Sequence, residues 1–303
     1  MARLYARWNT VKPQIMLAKV PSWLSLPLVA GALGILLFLE RRRPLRRDVE
    51  PKLSRDARNL AVAGLGALAL QLTESPVSSR LTSLVAQRNW GLLRICRFPL
   101  WLEVSLGLVL LDYSLYIWHV LTHKIPFLWR FHLVHHADRD LDSSTALRFH
   151  FGELSLSVPW RAAQIVLIGV SPISFSIWQT LLLISILFHH SNVRLPIAWE
   201  RPLSLLFVTP RMHGIHHSVV HQETNSNWSS GLTVWDRLHG TLRLNVPQDE
   251  ITIGVPAYSE ATDVEFFRLL GIPFAAQKPG WEPGLKGEVD RRAFVAPFER
   301  LLE

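Results

Sequence analysis

The chain has 303 residues, enough for one large domain or two ordinary ones; 49% are hydrophobic, 18% are charged and twelve are tryptophan. That composition excludes an ordinary soluble globule and suits a chain that puts much of its surface in lipid. The formal charge of +8 invites a nucleic-acid reading, but Arg41, Arg42, Arg43, Arg46 and Arg47 follow directly on an apolar run, as arginines beside a membrane helix do, so no nucleic-acid partner is expected.

The first twenty residues, "MARLYARWNTVKPQIMLAKV", are basic and lack a small-residue cleavage site ahead of the apolar stretch, which predicts a retained membrane segment and not a signal peptide. Crossing the hydrocarbon takes about 20 mainly apolar residues. Trp23 to Leu39 is the first expected span, ended by Glu40 and the arginine run. Leu60 to Leu72 is a second, short enough to need tilt, extension toward Val77 or local thinning of the bilayer. The single cysteine, Cys96, excludes an intramolecular disulfide and removes thiolates as the main metal ligands. Phe98 to Trp118 is the third span, with Glu103 and Asp112 inside it. Leu154 to Phe188, broken near "GVSPISF" by Gly169 and Pro172, reads as a helical hairpin of two short arms that enters and returns on one side. From Ser191 onward the chain is more polar, with no further span; "EITIGVP" reads as a short strand and "DVEFFRLLGI" as a helix with Asp263 near its start.

Sidedness follows from charge. Arg41 to Arg58 carries eight Lys/Arg against four between Met1 and Lys19, which puts the end of the first span in the cytoplasm. The chain then leaves along the second span and returns along the third, which ends at His119. A hairpin that starts and finishes on one side keeps every later histidine on that same face. The Ala- and Arg-rich N-terminal third, and a C-terminal "ERLLE" without a retrieval signal, favour a bacterial inner membrane over the endoplasmic reticulum. The expected fold class is therefore all-α and integral to the membrane: about four membrane helices or hairpin arms capped by a cytosolic histidine-rich metal-binding region. The expected divisions are an N-terminal membrane region (1–110), a histidine-rich catalytic region with the hairpin (111–245) and a cytosolic C-terminal extension (246–303).

All thirteen histidines lie between His119 and His239. On a helix, residues four apart differ by roughly 40° and share a face, as do residues three apart. His119 and His123 can thus aim two imidazoles at one point, and each H-x-x-H-H (His132, His135, His136; His213, His216, His217) supplies three ring nitrogens within about one turn. Charged imidazoles crowded at a membrane interface would repel, whereas a divalent cation makes their neutral form useful. Eight such histidines exceed what one metal can use, and two metals with four or five imidazoles each fit the count, especially with His150 and His190 added. No E-x-x-H or H-E-x-x-H occurs, which removes the carboxylate-bridged ferritin-like site and the zinc-protease site.

"YIWHVLTH", "FHLVHH", "RFH", "HHSN", "HGIHH" and "NSNWSSGLTVWDRLHGT", from about Leu111 to Thr241, together resemble the fatty acid hydroxylase / sterol desaturase superfamily of integral-membrane di-iron enzymes, with looser similarity in "LLGIPF" at 269–274. The resemblance implies metal-ligand roles for His119, His123, His132, His135, His136, His213, His216 and His217, joined by His190 and His150. Departures are Val120 where arginine is common, Phe151 where proline is usual, and Trp228 in place of tyrosine; none removes a ligand. Asp112, two turns before His119 on one helix face, is expected to orient a ligand imidazole, since a carboxylate that deep is costly. Asn227 is expected to help organise the site; Asn225 and Asp236 resemble positions that do the same. The resemblance implies two iron ions (zinc being able to occupy the sites in a purified sample), a lipid substrate, and hydroxylation or desaturation driven by O2 and two electrons. With no b5-type haem module, flavin fingerprint or cysteine cluster in the sequence, a separate electron donor is expected, cytochrome b5-like or a ferredoxin with its reductase. A zinc-dependent membrane hydrolase and a non-catalytic metal-binding protein are the alternatives.

Overall fold

The structure, a computed structural model, describes residues 18–96 and 98–281. The first seventeen residues and the C-terminal "ERLLE" lie outside that range. In chain order the helices are α1 (Ser22–Arg42), α2 (Lys52–Ala69), a π-helical turn (Leu70–Glu74), α3 (Ser75–Arg88), α4 (Leu92–Ile95), α5 (Leu100–Lys124), α6 (Pro126–His136), α7 (Phe151–Leu156), α8 (Val158–Ile168), α9 (Pro172–His190), α10 (Ile197–Leu203), α11 (Pro210–His216), α12 (His221–Thr224), α13 (Val234–Leu238) and α14 (Phe266–Gly271). Proline opens α6, α9 and α11, where its missing N–H costs nothing and its fixed φ suits the first turn. Gly169, at φ +83°, closes α8 in the left-handed conformation that glycine adopts without strain.

Four helical stretches are long and apolar enough to cross a membrane: Ser22–Arg42, Lys52–Ile95, Leu100–Lys124 and Pro172–His190. The protein is an integral membrane protein built from helices, with no strand among the described residues. Three expectations need correction. The second span is far longer than Leu60 to Leu72, because the helix runs on through the π turn into α3; there buried Glu74 takes Gln179 Nε2 at 3.3 Å. The hairpin arms differ in build: α8 has only 11 residues, about 16 Å, and together with α7 ahead of it reaches the far end of the second span, where Arg94 Nε donates to Gly169 O, whereas α9 is a single helix of 19 residues. "EITIGVP" forms no strand but a single bridge, Ser218 to Ile253, so its chain lies over the second histidine triplet without a partner strand.

The ends of the helices explain where the site forms. Arg194 N donates to Arg43 O at 2.8 Å and Leu45 N to Asn192 O at 2.8 Å, tying the end of α1 to the end of α9. One residue, Ile125, separates α5 from α6, so the segment after the third span turns directly into the first H-x-x-H-H. The first turn of α2 meets the loop after α6 through a buried ion cluster. Arg55 Nε and Nη2 donate to the two oxygens of Asp138 at 2.9 Å each, and Nη1 donates to Asp142 at 2.7 Å. Arg148 Nη1 lies 2.9 Å from Asp138 Oδ1, and its Nε donates to Val134 O inside α6. Burial alone would raise the Asp138 carboxyl, but Arg55 and Arg148 hold it well below the usual carboxylate range. A buried, paired cluster of this kind fixes one loop conformation, whereas removing its shared carboxylate would strand charge. On the far side of α6, Leu133, Val134 and Ala137 pack on Val255, Tyr258, Val264, Leu269 and Ile272, so the C-terminal segment forms a lid of apolar contacts over the histidine layer.

Candidate metal centre

The histidines gather into two groups whose ligand atoms lie within 4.8 Å of one another: His119, His123, His132, His136 and His216 in one, and His135, His190, His213 and His217 in the other. The partition follows from helical spacing. In each triplet the i and i+4 members share one group while the i+3 member crosses to the other: His132 and His136 face His216, and His213 and His217 face His135. His119 and His123, also four apart, add to the five-histidine group, and His190 at the end of α9 completes the four. His136 and His217, from opposite groups, stack with ring centroids 4.3 Å apart, so the groups are adjoining halves of one layer.

Backbone and carboxylate acceptors orient the rings. His119 Nδ1 donates to Trp228 O at 2.7 Å, His216 Nδ1 to Ser226 O at 2.8 Å, His190 Nδ1 to Ile186 O at 2.7 Å and His132 Nδ1 to Glu153 Oε1 at 2.8 Å. Each bond puts the proton on Nδ1 and leaves a bare Nε2 lone pair aimed into its group, as metal-binding imidazoles require. In the five-histidine group, Nε2 of His123, His132, His136 and His216 is buried without a hydrogen-bond partner. In the other, His190 Nε2 lies 3.0 Å from both His135 Nε2 and His213 Nε2, and His213 Nε2 lies 3.1 Å from His217 Nε2. With metal–nitrogen bonds of about 2.0–2.1 Å, nitrogens at the corners of a tetrahedron stand about 3.3 Å apart. The donor set therefore fits divalent cations with all-imidazole coordination. Burial first, then neighbouring imidazoles, push His135, His136, His213, His216 and His217 well below the ordinary histidine range, so the rings stay neutral.

Three of the expected site residues stand elsewhere. His150 lies outside both groups: its Nδ1 accepts from Gly152 N at 2.9 Å and caps α7, and its Nε2 faces Leu270 O. Asp112 reaches no imidazole; its Oδ2 accepts from Leu232 N at 3.0 Å and from Trp235 Nε1 at 2.7 Å, anchoring the loop before α13 to α5. A Cβ on Gly231 would sit 2.4 Å from Asp112 Oδ1, so only glycine lets the loop come this close. Asn227, in the left-handed region at φ +51°, donates to Met212 O and Arg243 O and accepts from Arg243 N, holding the strap that presents Ser226 O and Trp228 O to the rings. It positions the acceptors rather than touching the centre. Asp236 does likewise through Trp228 N and Ser229 N. His189 packs on His213 and His190 outside both groups, His221 stacks on Trp281, and His239 meets Tyr113. The residue missed in the sequence is Glu153. Its only sequence signal is an acid three residues after "RFH".

Residues 104–241 match the family model described as Fatty acid hydroxylase. Over 161 residues, 52% of this chain and 47% of the relative, the chain is 36% identical to ornithine lipid hydroxylase OlsE of Rhizobium tropici. It is 34% identical to a cholesterol 25-hydroxylase-like protein of Danio rerio over half of this chain and 58% of the relative. It is 26% identical to human alkylglycerol monooxygenase over 61% of this chain and 43% of the relative. The chain thus spans about half the length of these curated relatives. No solved structure matches.

Proposed function

We propose, from the match of residues 104–241 to the Fatty acid hydroxylase model and the likeness to three lipid-modifying relatives, that the chain is a member of that superfamily and a membrane oxygenase that hydroxylates a C–H bond of a lipid. The reaction takes R–H, O2, two electrons and two protons to R–OH and water; desaturation draws on the same oxidising equivalents with the substrate held differently. The observation that carries this reading is the pair of adjoining, buried imidazole groups with Nε2 lone pairs directed inward. Two iron ions held by the five- and four-histidine groups would supply the O2 and redox chemistry that side chains lack.

The chain's own residues do the rest. Glu153, Trp228 O, Ser226 O and Ile186 O hold ring orientation, and the Arg55–Asp138–Arg148 cluster holds the first triplet against α2. Placing the rings at the ends of α5 and α9 lets a lipid enter from the bilayer with its reactive carbon beside them. The substrate class is a membrane lipid, in keeping with the lipids named by the relatives. Electrons come from a separate donor, cytochrome b5-like or a ferredoxin with its reductase. The histidine end faces the cytoplasm of a bacterial inner membrane, in keeping with the eight basic residues of Arg41 to Arg58 and the Rhizobium relative.

The test is turnover by the purified full-length protein in bilayer discs, supplied with ferrous iron, ferredoxin, reductase, 18O2 and lipids extracted from the source cells. A lipid species gaining one labelled oxygen, lost in His216→Ala, supports the proposal. Turnover without O2 or reductant would point instead to hydrolysis by zinc-activated water, and absence of turnover across all lipid classes would overturn the oxygenase reading.

A further inference from the structure

Beside the four-histidine group lies a groove of about 630 Å³ lined by Arg42, Arg43, Arg194 and Arg211 with Pro44, Leu195, Pro196 and Ile197. Its arginines come from three parts of the chain: the end of α1, the segment just after α9, and the first turn of α11. Arginines beyond a span serve membrane orientation and the helix dipole, but neither role requires them to converge on a concavity. Among the described residues the one carboxylate bonded to a lining arginine is Glu200, whose Oε2 accepts from Arg211 Nε at 2.7 Å. Arg42 rests over the Phe38 ring. Behind Arg211 stands Arg46, with Nη1 bonded to Gln248 Oε1 and with Nε and Nη2 buried without partners. A Cβ on Gly214 would lie 2.4 Å from Arg46 Nη1, so the glycine of "HGIHH" makes room for that guanidinium.

The groove sits where two spans end, at the level of lipid headgroups. Its rim continues into α10, where Ile197 is 47% and Trp199 75% exposed, an apolar and aromatic surface of the kind that seats in the interface. A patch of cationic planar forks, beside side chains that seek acyl chains, matches an amphiphile with an anionic head. Arginine forks suit phosphate oxygens in particular. We propose that this groove binds the phosphate of an anionic phospholipid headgroup, with the acyl chains lying along Ile197 and Trp199.

The experiment uses the purified full-length protein in zwitterionic discs, with phosphatidylglycerol binding followed by native mass spectrometry and by competition against a fluorescent phosphatidylglycerol. Phosphatidylglycerol should bind in preference to phosphatidylcholine. Arg43→Gln with Arg194→Gln should weaken it by about 30-fold, the expectation for two basic side chains at a membrane surface. Arg41→Gln with Arg47→Gln, equal in charge but outside the groove, should leave it within about threefold. Arg194→Lys, which keeps charge but loses the planar fork, should give an intermediate loss at unchanged metal content and helicity. Equal weakening by the two double variants, or equal binding of phosphatidylcholine, would overturn the site. Competition by inorganic phosphate as effective as that of the lipid would make it a soluble-anion site instead. Unaltered lipid binding with lost reduction by an acidic ferredoxin would make the groove a protein-docking face, also against the proposal.

Discussion

Removing the carboxylate of Glu153 should loosen one metal site and spare the other. Glu153 is 6% exposed and its Oε1 accepts from His132 Nδ1 at 2.8 Å. In Glu153→Ala that N–H is left buried with no acceptor, a cost of about 1–3 kcal/mol. Loss of the group behind a metal-binding histidine typically weakens metal binding about 10- to 100-fold, roughly 1.4–2.8 kcal/mol, so the two estimates agree. His132 belongs to the five-histidine group, and none of the four rings of the other group bonds to Glu153. Metal content measured by mass spectrometry after equilibration against graded chelator should therefore show one ion released at about 10- to 100-fold lower chelator strength, with the second unchanged. Glu153→Gln, which keeps an amide oxygen as acceptor, should fall between. If Glu153→Ala holds both ions as firmly as the parent, or loses both together, the assignment of this carboxylate and the division into two groups are wrong.

Asp138→Ala should cost about 3–5 kcal/mol, because it leaves Arg55 and Arg148 buried beside each other with their shared partner gone; thermal unfolding in detergent reads this, and a loss under about 1 kcal/mol would contradict it. His150→Ala should lower stability by about 1 kcal/mol, as loss of a helix cap does, and leave the metal-to-protein ratio unchanged; a missing ion would restore His150 as a ligand. The metal-free protein should be most stable above about pH 6.5 and lose stability as pH falls below it. Its buried rings at His135, His136, His213, His216 and His217 stay neutral when folded and gain protons near the ordinary pKa of about 6.5 when unfolded. Each contributes about 1.4 kcal/mol per pH unit, so a melting temperature flat from pH 7 to 5 would refute their burial in the neutral state.

Much of this was legible in the chain because it rests on periodicity. Runs of apolar residues locate the four spans, and histidines spaced three and four apart must share helix faces. The shared end of the bundle also follows from counting spans, since α5 and α9 both carry histidines in their last turn. What periodicity does not contain is which partner a side chain meets after the chain turns. The sequence places His150 among the histidines, yet its position before α7 makes it a cap, because a nitrogen lone pair there satisfies an orphan N–H. Asp112 sits two turns from His119 on one face, but its acceptor oxygens are claimed by Leu232 N and Trp235, which come from 120 and 123 residues away. Glu153 and the reciprocal sharing of the two triplets were hidden for the same reason, since both depend on how α6, α7 and α11 pack. "EITIGVP" alternates like a strand, but with no second strand to pair with it makes only one bridge.

Anomalous scattering at the iron edge, from crystals of the full-length protein prepared with ferrous iron, tests the central claim most directly. Two peaks per chain are predicted, one enclosed by His119, His123, His132, His136 and His216 and the other by His135, His190, His213 and His217. A single peak, no peak, or a peak coordinated by His150 or Asp112 would contradict the account.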